Sequence, residues 1–279
     1  MHKNIKFSYA FTMLELIFVI IILGIVSSIG AEIIAKVYES YIIQRAHHKA
    51  SLKTELAALQ IANRLRYAIP GTVYRIKNDN SLEIIDSALT GAGNEYIGLQ
   101  WVGYDGDGFE AVTSNTDRRP GWTGFADVKN SSTDKTHIKT QGSNLSLTNT
   151  IIGNLSPAGK SISDAYIYFP SNLTPYAIAS QSGDIITLND ASSKIIMEHY
   201  KLAWSSYALV VENGGDLNLY YDFQATPNTA RGNTKQLLLK HVKTFKFKGE
   251  GRTIRFKLCV EENIGDDFNI TSCKEKAVF

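Results

Sequence analysis

Residues Phe11 to Val26 read FTMLELIFVIIILGIV, an apolar run broken by a single acid, Glu15, near its start. The apolar stretch continues to about Ile29 and so approaches the roughly 17–25 residues that a membrane-spanning helix needs. A carboxylate at bilayer depth costs about 2.5–3.5 kcal/mol on insertion scales, and such groups are usually paired and functional. Glu15 therefore needs a neutralising partner that the run itself does not contain.

The ten residues before the run, MHKNIKFSYA, are short and basic. A cleaved secretory signal would have this basic region and a cut after small residues, near Gly30 with Ser28 upstream. A plain anchor would use Lys3 and Lys6 to hold the N-terminus in the cytoplasm. Neither arrangement explains Glu15.

The segment Ala10-Phe11-Thr12-Met13-Leu14-Glu15-Leu16, followed by aliphatic residues, resembles the type IV prepilin signal of pilins and pseudopilins. The resemblance covers about the first 30 residues. It implies that a prepilin peptidase/methyltransferase cuts between Ala10 and Phe11 and then N-methylates Phe11. Glu15 would become the fifth residue of the mature chain, pairing with the terminal amine of a neighbouring subunit during filament assembly. Cleavage creates a cation absent from the precursor, and a buried acid needs one. Ala10 stands where the family usually has glycine; alanine is small, so processing is expected. The partners implied are the peptidase, other pilin or pseudopilin subunits, an inner-membrane assembly platform and the lipid bilayer. The location implied is the bacterial inner membrane, crossed once, with a periplasmic globular part.

No proline precedes Pro70, and from Phe11 to Ile69 only Gly24 and Gly30 weaken a helix. One long helix is expected over 11–69. Its membrane half is 11–35 and its amphipathic half 36–69, after a removable leader, 1–10. Leu52, Leu56 and Leu59 lie at i, i+4 and i+7 and form one apolar stripe, and Pro70-Gly71 ends the helix. His47 and His48 are adjacent, so their rings diverge and read as surface residues rather than metal ligands.

Beyond Pro70 the texture changes to short β-like runs, giving a β-rich domain over 70–279 and an α+β, pilin-like fold. Expected strands are Gly71–Ile76, Ser81–Ile85, Ile97–Tyr104, Ala165–Phe169, Lys194–Tyr200, Ala208–Glu212, Leu217–Phe223, Leu237–Phe247 and Thr253–Val260. In the last, Ile254, Phe256, Leu258 and Val260 alternate with Arg255, Lys257 and Cys259, and Gly249-Glu250-Gly251 reads as the hairpin turn before it. The stretch from about Thr113 to Ser163 is rich in Ser, Thr, Asn, Gly and Lys and reads as long surface loops. The closing runs, Leu237–Phe245 and Ile254–Leu258, also look like the last strands of larger minor pilins and of the J-type pseudopilin.

Hydrophobic content of 44% and charged content of 20% are those of a folded protein. There are 29 Lys+Arg against 27 Asp+Glu; setting aside Lys3 and Lys6 leaves 27 against 27, so net charge selects no partner. Cys259 and Cys273 are too few for a zinc site and are not a C-x-x-C pair. In an oxidising compartment they would close a short loop worth about 3 kcal/mol, the alternative being two separate buried thiols.

Few residues offer chemistry. Asp105, Asp107 and Glu110 cluster around two glycines and are candidate calcium ligands, although Thr116 stands where a calcium loop ends in glutamate; the competing reading is an Asp-Gly turn. Gly91-Ala92-Gly93 lacks the third glycine of a nucleotide fingerprint. Lys243, Lys246, Lys248, Arg255 and Lys257 form a candidate nucleic-acid patch, or the ordinary polar face of an edge hairpin. No catalytic constellation or cofactor motif is present. The chain is expected to be a non-enzymatic minor pilin or pseudopilin of a type II secretion or type IV pilus machine. The alternatives are a DNA-binding pilin of a competence system and an anchored periplasmic enzyme.

Overall fold

The computed structural model describes residues 12–86, 88–91, 95–170, 172–189, 195–264 and 269–279. A single helix, α1, runs Met13–Arg66. At 1.5 Å per residue its 54 residues extend about 80 Å. Thr12 caps it, its hydroxyl accepting from the Glu15 N–H at 3.4 Å. The helix closes at Tyr67, whose N–H donates to the carbonyls of Arg64 and Leu65, and Gly71 at φ 81° turns the chain away.

The elements that follow are β1 (Tyr74–Lys77), β2 (Leu82–Ile84), β3 (Thr90–Gly91), β4 (Tyr96–Gly103), α2 (Gly106–Glu110), β5 (His137–Lys139), α3 (Leu145–Leu155), β6 (Tyr166–Phe169), β7 (Asn172–Ser182), β8 (Ile185–Leu188), β9 (Lys201–Ala203), β10 (Ser205–Glu212), β11 (Asp216–Phe223), β12 (Lys235–Leu239), β13 (Val242–Glu250), β14 (Thr253–Asn263) and β15 (Asn269–Val278). They form three sheets, ordered β12-β11-β10-β4-β1-β2, β15-β14-β13-β3 and β5-β8-β7-β6-β9. All the pairings described are antiparallel. The architecture is α+β, a long N-terminal helix packed on antiparallel sheet, as the sequence leads one to expect.

Two large hydrophobic clusters hold it together. In one, Ile61 and Leu65 of α1 meet Trp101, Phe245, Phe256 and Leu258. In the other, Trp122, Ile138, Leu145, Ile152, Ile167 and Tyr200 pack beneath α3. The second cluster overturns the reading of Thr113–Ser163 as surface loops. The stretch is polar on average, but Trp122, Ile138, Leu145 and Ile152 are each fully buried and tie it down. Asn144 starts α3 by accepting the Leu147 N–H on its side-chain oxygen.

Three other boundaries differ from expectation. The run Leu237–Phe247 is two strands, because His241 adopts φ 58° and sends β12 and β13 into different sheets. The described part of Lys194–Tyr200 holds only one bridge, His199 to Phe125; Lys194 lies outside the described residues and the strand itself is β9. Strand β13 continues through Glu250, opposite Thr253, so the hairpin turn is the pair Gly251-Arg252. Gly251 sits at φ 61°, which a tight antiparallel turn requires and glycine adopts without strain.

Cys259 and Cys273 face each other across β14 and β15, their sulfurs 2.11 Å apart in a disulfide. The same strand, β15, carries Lys274 and Lys276 to Glu55 of α1, at 3.6 and 2.6 Å, while Lys53 meets Glu262 at 2.8 Å. The lysines therefore fix where the sheet sits along the helix.

Candidate assembly face and binding sites

The apolar half of α1 packs against nothing among the described residues. From Met13 to Ile29 its large side chains are all exposed, and the helix is long and apolar enough to cross a membrane. Glu15 lies in the first turn, where the helix dipole favours an acid. It is exposed, and its carboxylate has no hydrogen bond or ion pair among the described residues. The expected cleavage and methylation residues, Ala10 and Phe11, lie outside the described residues.

The second half of the helix turns its leucine stripe away from the sheet. The face that meets the sheet is Ala50, Thr54, Ala57, Ala58, Ile61 and Leu65. Small side chains let β14 and β15 approach the helix axis closely, and Thr54 satisfies its hydroxyl by donating to the Ala50 carbonyl at 2.7 Å. At about 3.6 residues per turn, Leu52, Leu56 and Leu59 fall on the opposite side. They are 51, 61 and 41% exposed. The same side continues upward through Tyr41, Val37 and Ile34, all exposed. An apolar face therefore runs from the membrane half down the outside of the domain. His47 and His48 are exposed too.

The acids proposed for calcium do not converge, and among the described residues no three His, Cys, Asp or Glu side chains gather as a metal site. Asp105 is 3% exposed and caps α2, accepting from the Gly108 N–H and from the Trp122 indole, both at 3.1 Å. Glu110 turns instead to Tyr67, accepting its hydroxyl at 2.8 Å. Asp107, in the first turn of α2, shares neither contact. The acids start and flank a short helix, where an Asp-Gly turn was the alternative. Burial pushes the Asp105 carboxyl up to about 6, outweighing the two hydrogen bonds that favour its charged form.

The basic hairpin is interior to its sheet rather than at an edge, since β15 covers the outer side of β14. Lys246 lies opposite Lys257, and Lys248 opposite Arg255. Lys243 pairs with Glu261 at 2.9 Å and Lys248 with Glu250 at 4.0 Å. Lys246, Arg255 and Lys257 are exposed without ion pairs among the described residues. Phe245, Phe247 and Phe256 point to the opposite face and are buried. The patch offers charge for phosphates but no ring on which a base could stack.

Two clefts lie beyond the end of α1 and went unnoticed in the sequence. One, of about 470 Å³, is walled by Tyr104, Phe109, Trp122, Tyr168 and Phe169. The other, of about 520 Å³, lies beneath the β13–β14 turn. They share Ile69, Pro70, Lys201 and Arg252. The lining of the first cleft alone comes from six separate segments, so no local motif marks it. The protein-family models, the curated proteins and the solved structures compared with this chain contain no match to it.

Proposed function

We propose that the chain is a minor pilin or pseudopilin, made as a membrane-inserted precursor, cut between Ala10 and Phe11, and assembled through its N-terminal helix. The observation that carries this reading is a helix used in two ways. Its first half is apolar, unburied and marked by one unpartnered acid one turn in; its second half gives a small-residue face to the domain and an aliphatic face to the outside. An ordinary anchor has no use for Glu15 or for the aliphatic face below the membrane. In a bundle of such helices both acquire partners, Glu15 from a neighbour's new terminal amine and the leucines from neighbouring helices. The domain then projects on the periplasmic side, and the disulfide suits that compartment. The role is structural rather than catalytic.

Mass spectrometry of the mature N-terminus tests the reading. The expected product begins at N-methylated Phe11. An intact N-terminus at Met1, or a cut near Gly30, overturns it.

A further inference from the structure

The two clefts at the end of α1 adjoin at four shared lining residues and together outline a trough with two cations where they meet. Lys201 and Arg252 line both of them. Lys201 lies over the Tyr104 ring, its Nζ 4.2 Å from the centroid. Among the described residues neither Lys201 nor Arg252 has a carboxylate within ion-pairing distance. Of the acidic side chains lining the trough, Asp86 pairs with Arg75 and Glu250 points out to solvent 4.0 Å from Lys248. Burial, and then the charge of Arg252, make it harder for Lys201 to hold its proton. A half-buried cation beside a second one is a place where an anion gains more than it would at an open surface.

The aromatic walls are fixed in advance. Tyr168 donates its hydroxyl to the Ala225 carbonyl at 2.7 Å, Tyr200 hydrogen-bonds Thr140 at 2.7 Å, and the Trp122 indole donates to the Asp105 carbonyl at 2.9 Å. Their polar ends are satisfied away from the cleft. Gly124 keeps the floor open: at φ 71°, a Cβ there would stand 3.2 Å from the Tyr200 carbonyl oxygen and 3.3 Å from the Trp122 ring. A preformed apolar wall loses little entropy on binding.

We propose that this trough binds an extended peptide segment of another protein, in which an Asp or Glu adjoins an aromatic or leucine side chain. The carboxylate answers the two unpaired cations, and the apolar side chain answers Tyr104 and Phe169. A small molecule would fill either cleft alone, since each has the volume of an ordinary ligand site; a chain advancing about 3.3 Å per residue can pass through both. The trough lies at the opposite end of α1 from the apolar half, so the segment comes from the aqueous side. It is separate from the assembly surfaces of α1, and its occupancy is tested without filament formation.

The full-length chain in detergent, fluorescently labelled, is applied to an array of random hexapeptides, and the best binders are then measured by anisotropy. Bound peptides should be enriched in Asp or Glu beside Phe, Tyr, Trp or Leu. Replacing the acid by its amide, or introducing Arg252→Gln or Lys201→Met, should weaken binding roughly tenfold or more, and added salt should weaken it for the unaltered chain. Lys243→Gln, outside the trough, should leave it unchanged. Arg252 is exposed on a turn with no ion pair, so loss of binding in that variant is not a loss of folding; circular dichroism checks this. The proposal is overturned by an array without acid enrichment, or by undiminished affinity in Arg252→Gln and Lys201→Met. Displacement of the peptides by 3-phenylpropionate at equal affinity would also overturn it, marking a small-acid pocket instead.

Discussion

Glu15 and Asp105 are two acids with opposite settings. Glu15 stands exposed on the half of α1 that meets nothing among the described residues, and on the proposed reading its partner comes from a neighbouring subunit. Asp105 is enclosed and holds two donors, yet burial still raises its carboxyl to about 6. Its native-state value lies above the unfolded one, so the native chain binds the proton more tightly. Stability from this group therefore rises as pH falls from about 6 toward 4, and the cost of the buried charge is complete above 6. That cost is of order 3 kcal/mol. Asp105→Asn keeps an oxygen for the Gly108 N–H and removes the charge. Urea unfolding across pH 4–7 should show the variant without this slope, although its amide NH2 faces the Trp122 N–H and offsets part of the gain at pH 7; a slope retained at full size would remove Asp105 as its source. Glu55 works in the other direction: the Lys276 hydrogen bond, with Lys274 beside it, lowers its pKa, so its contribution is present above the unfolded value and is lost on acidification. The odd setting of Glu15 was legible from sequence because an acid in an apolar run contradicts its surroundings. Asp105 was legible only as an acidic turn residue, since its enclosure depends on Trp122 arriving from a different segment.

At the scale of elements, α1 shows how a correct periodicity leaves the partner of a stripe undecided. Leu52, Leu56 and Leu59 form a real stripe, but the face that meets the sheet is Ala50, Thr54, Ala57 and Ala58, joined by Ile61 and Leu65 toward the helix end. The sheet already supplies bulk in Phe245, Phe247 and Phe256, and along residues 50–58 it meets the helix on its small side chains, with Ile61 and Leu65 filling the space beyond. On the proposed function the leucines are left for neighbouring helices, where burying each contributes about 1.5–3 kcal/mol. Replacing all three by Gln should leave the thermal midpoint of the isolated protein almost unchanged, as surface substitutions do within about 0.5 kcal/mol each. Incorporation beside partner subunits, followed by crosslinking in cells, should fall sharply. A large loss of midpoint would mean that the leucines are needed within the chain itself.

Across the whole molecule, the final strand joins the parts. Strand β15 is bonded to β14 by Cys259–Cys273 and holds α1 through Lys274 and Lys276, so one edge strand sets the register between domain and helix. Replacing both cysteines by serine should cost about 2–4 kcal/mol of unfolding free energy on the loop-entropy account, measured by denaturant titration under oxidising conditions. An unchanged midpoint would show that the thiols are not joined in solution. The sequence by itself determined what depends on neighbours along the chain: the long helix, its apolar half, the place of Glu15, and the alternation of Ile254, Phe256, Leu258 and Val260. Only the tertiary structure decided what depends on distant segments meeting. It turned the leucine stripe outward, parted the acids of Asp105–Glu110 around a short helix, and built a second core inside the polar stretch before Ser163. It also set Lys201 and Arg252 together over an aromatic trough. Periodicity and capping act within a few residues and leave a local trace, whereas packing and charge pairing are settled by approach in space and leave none.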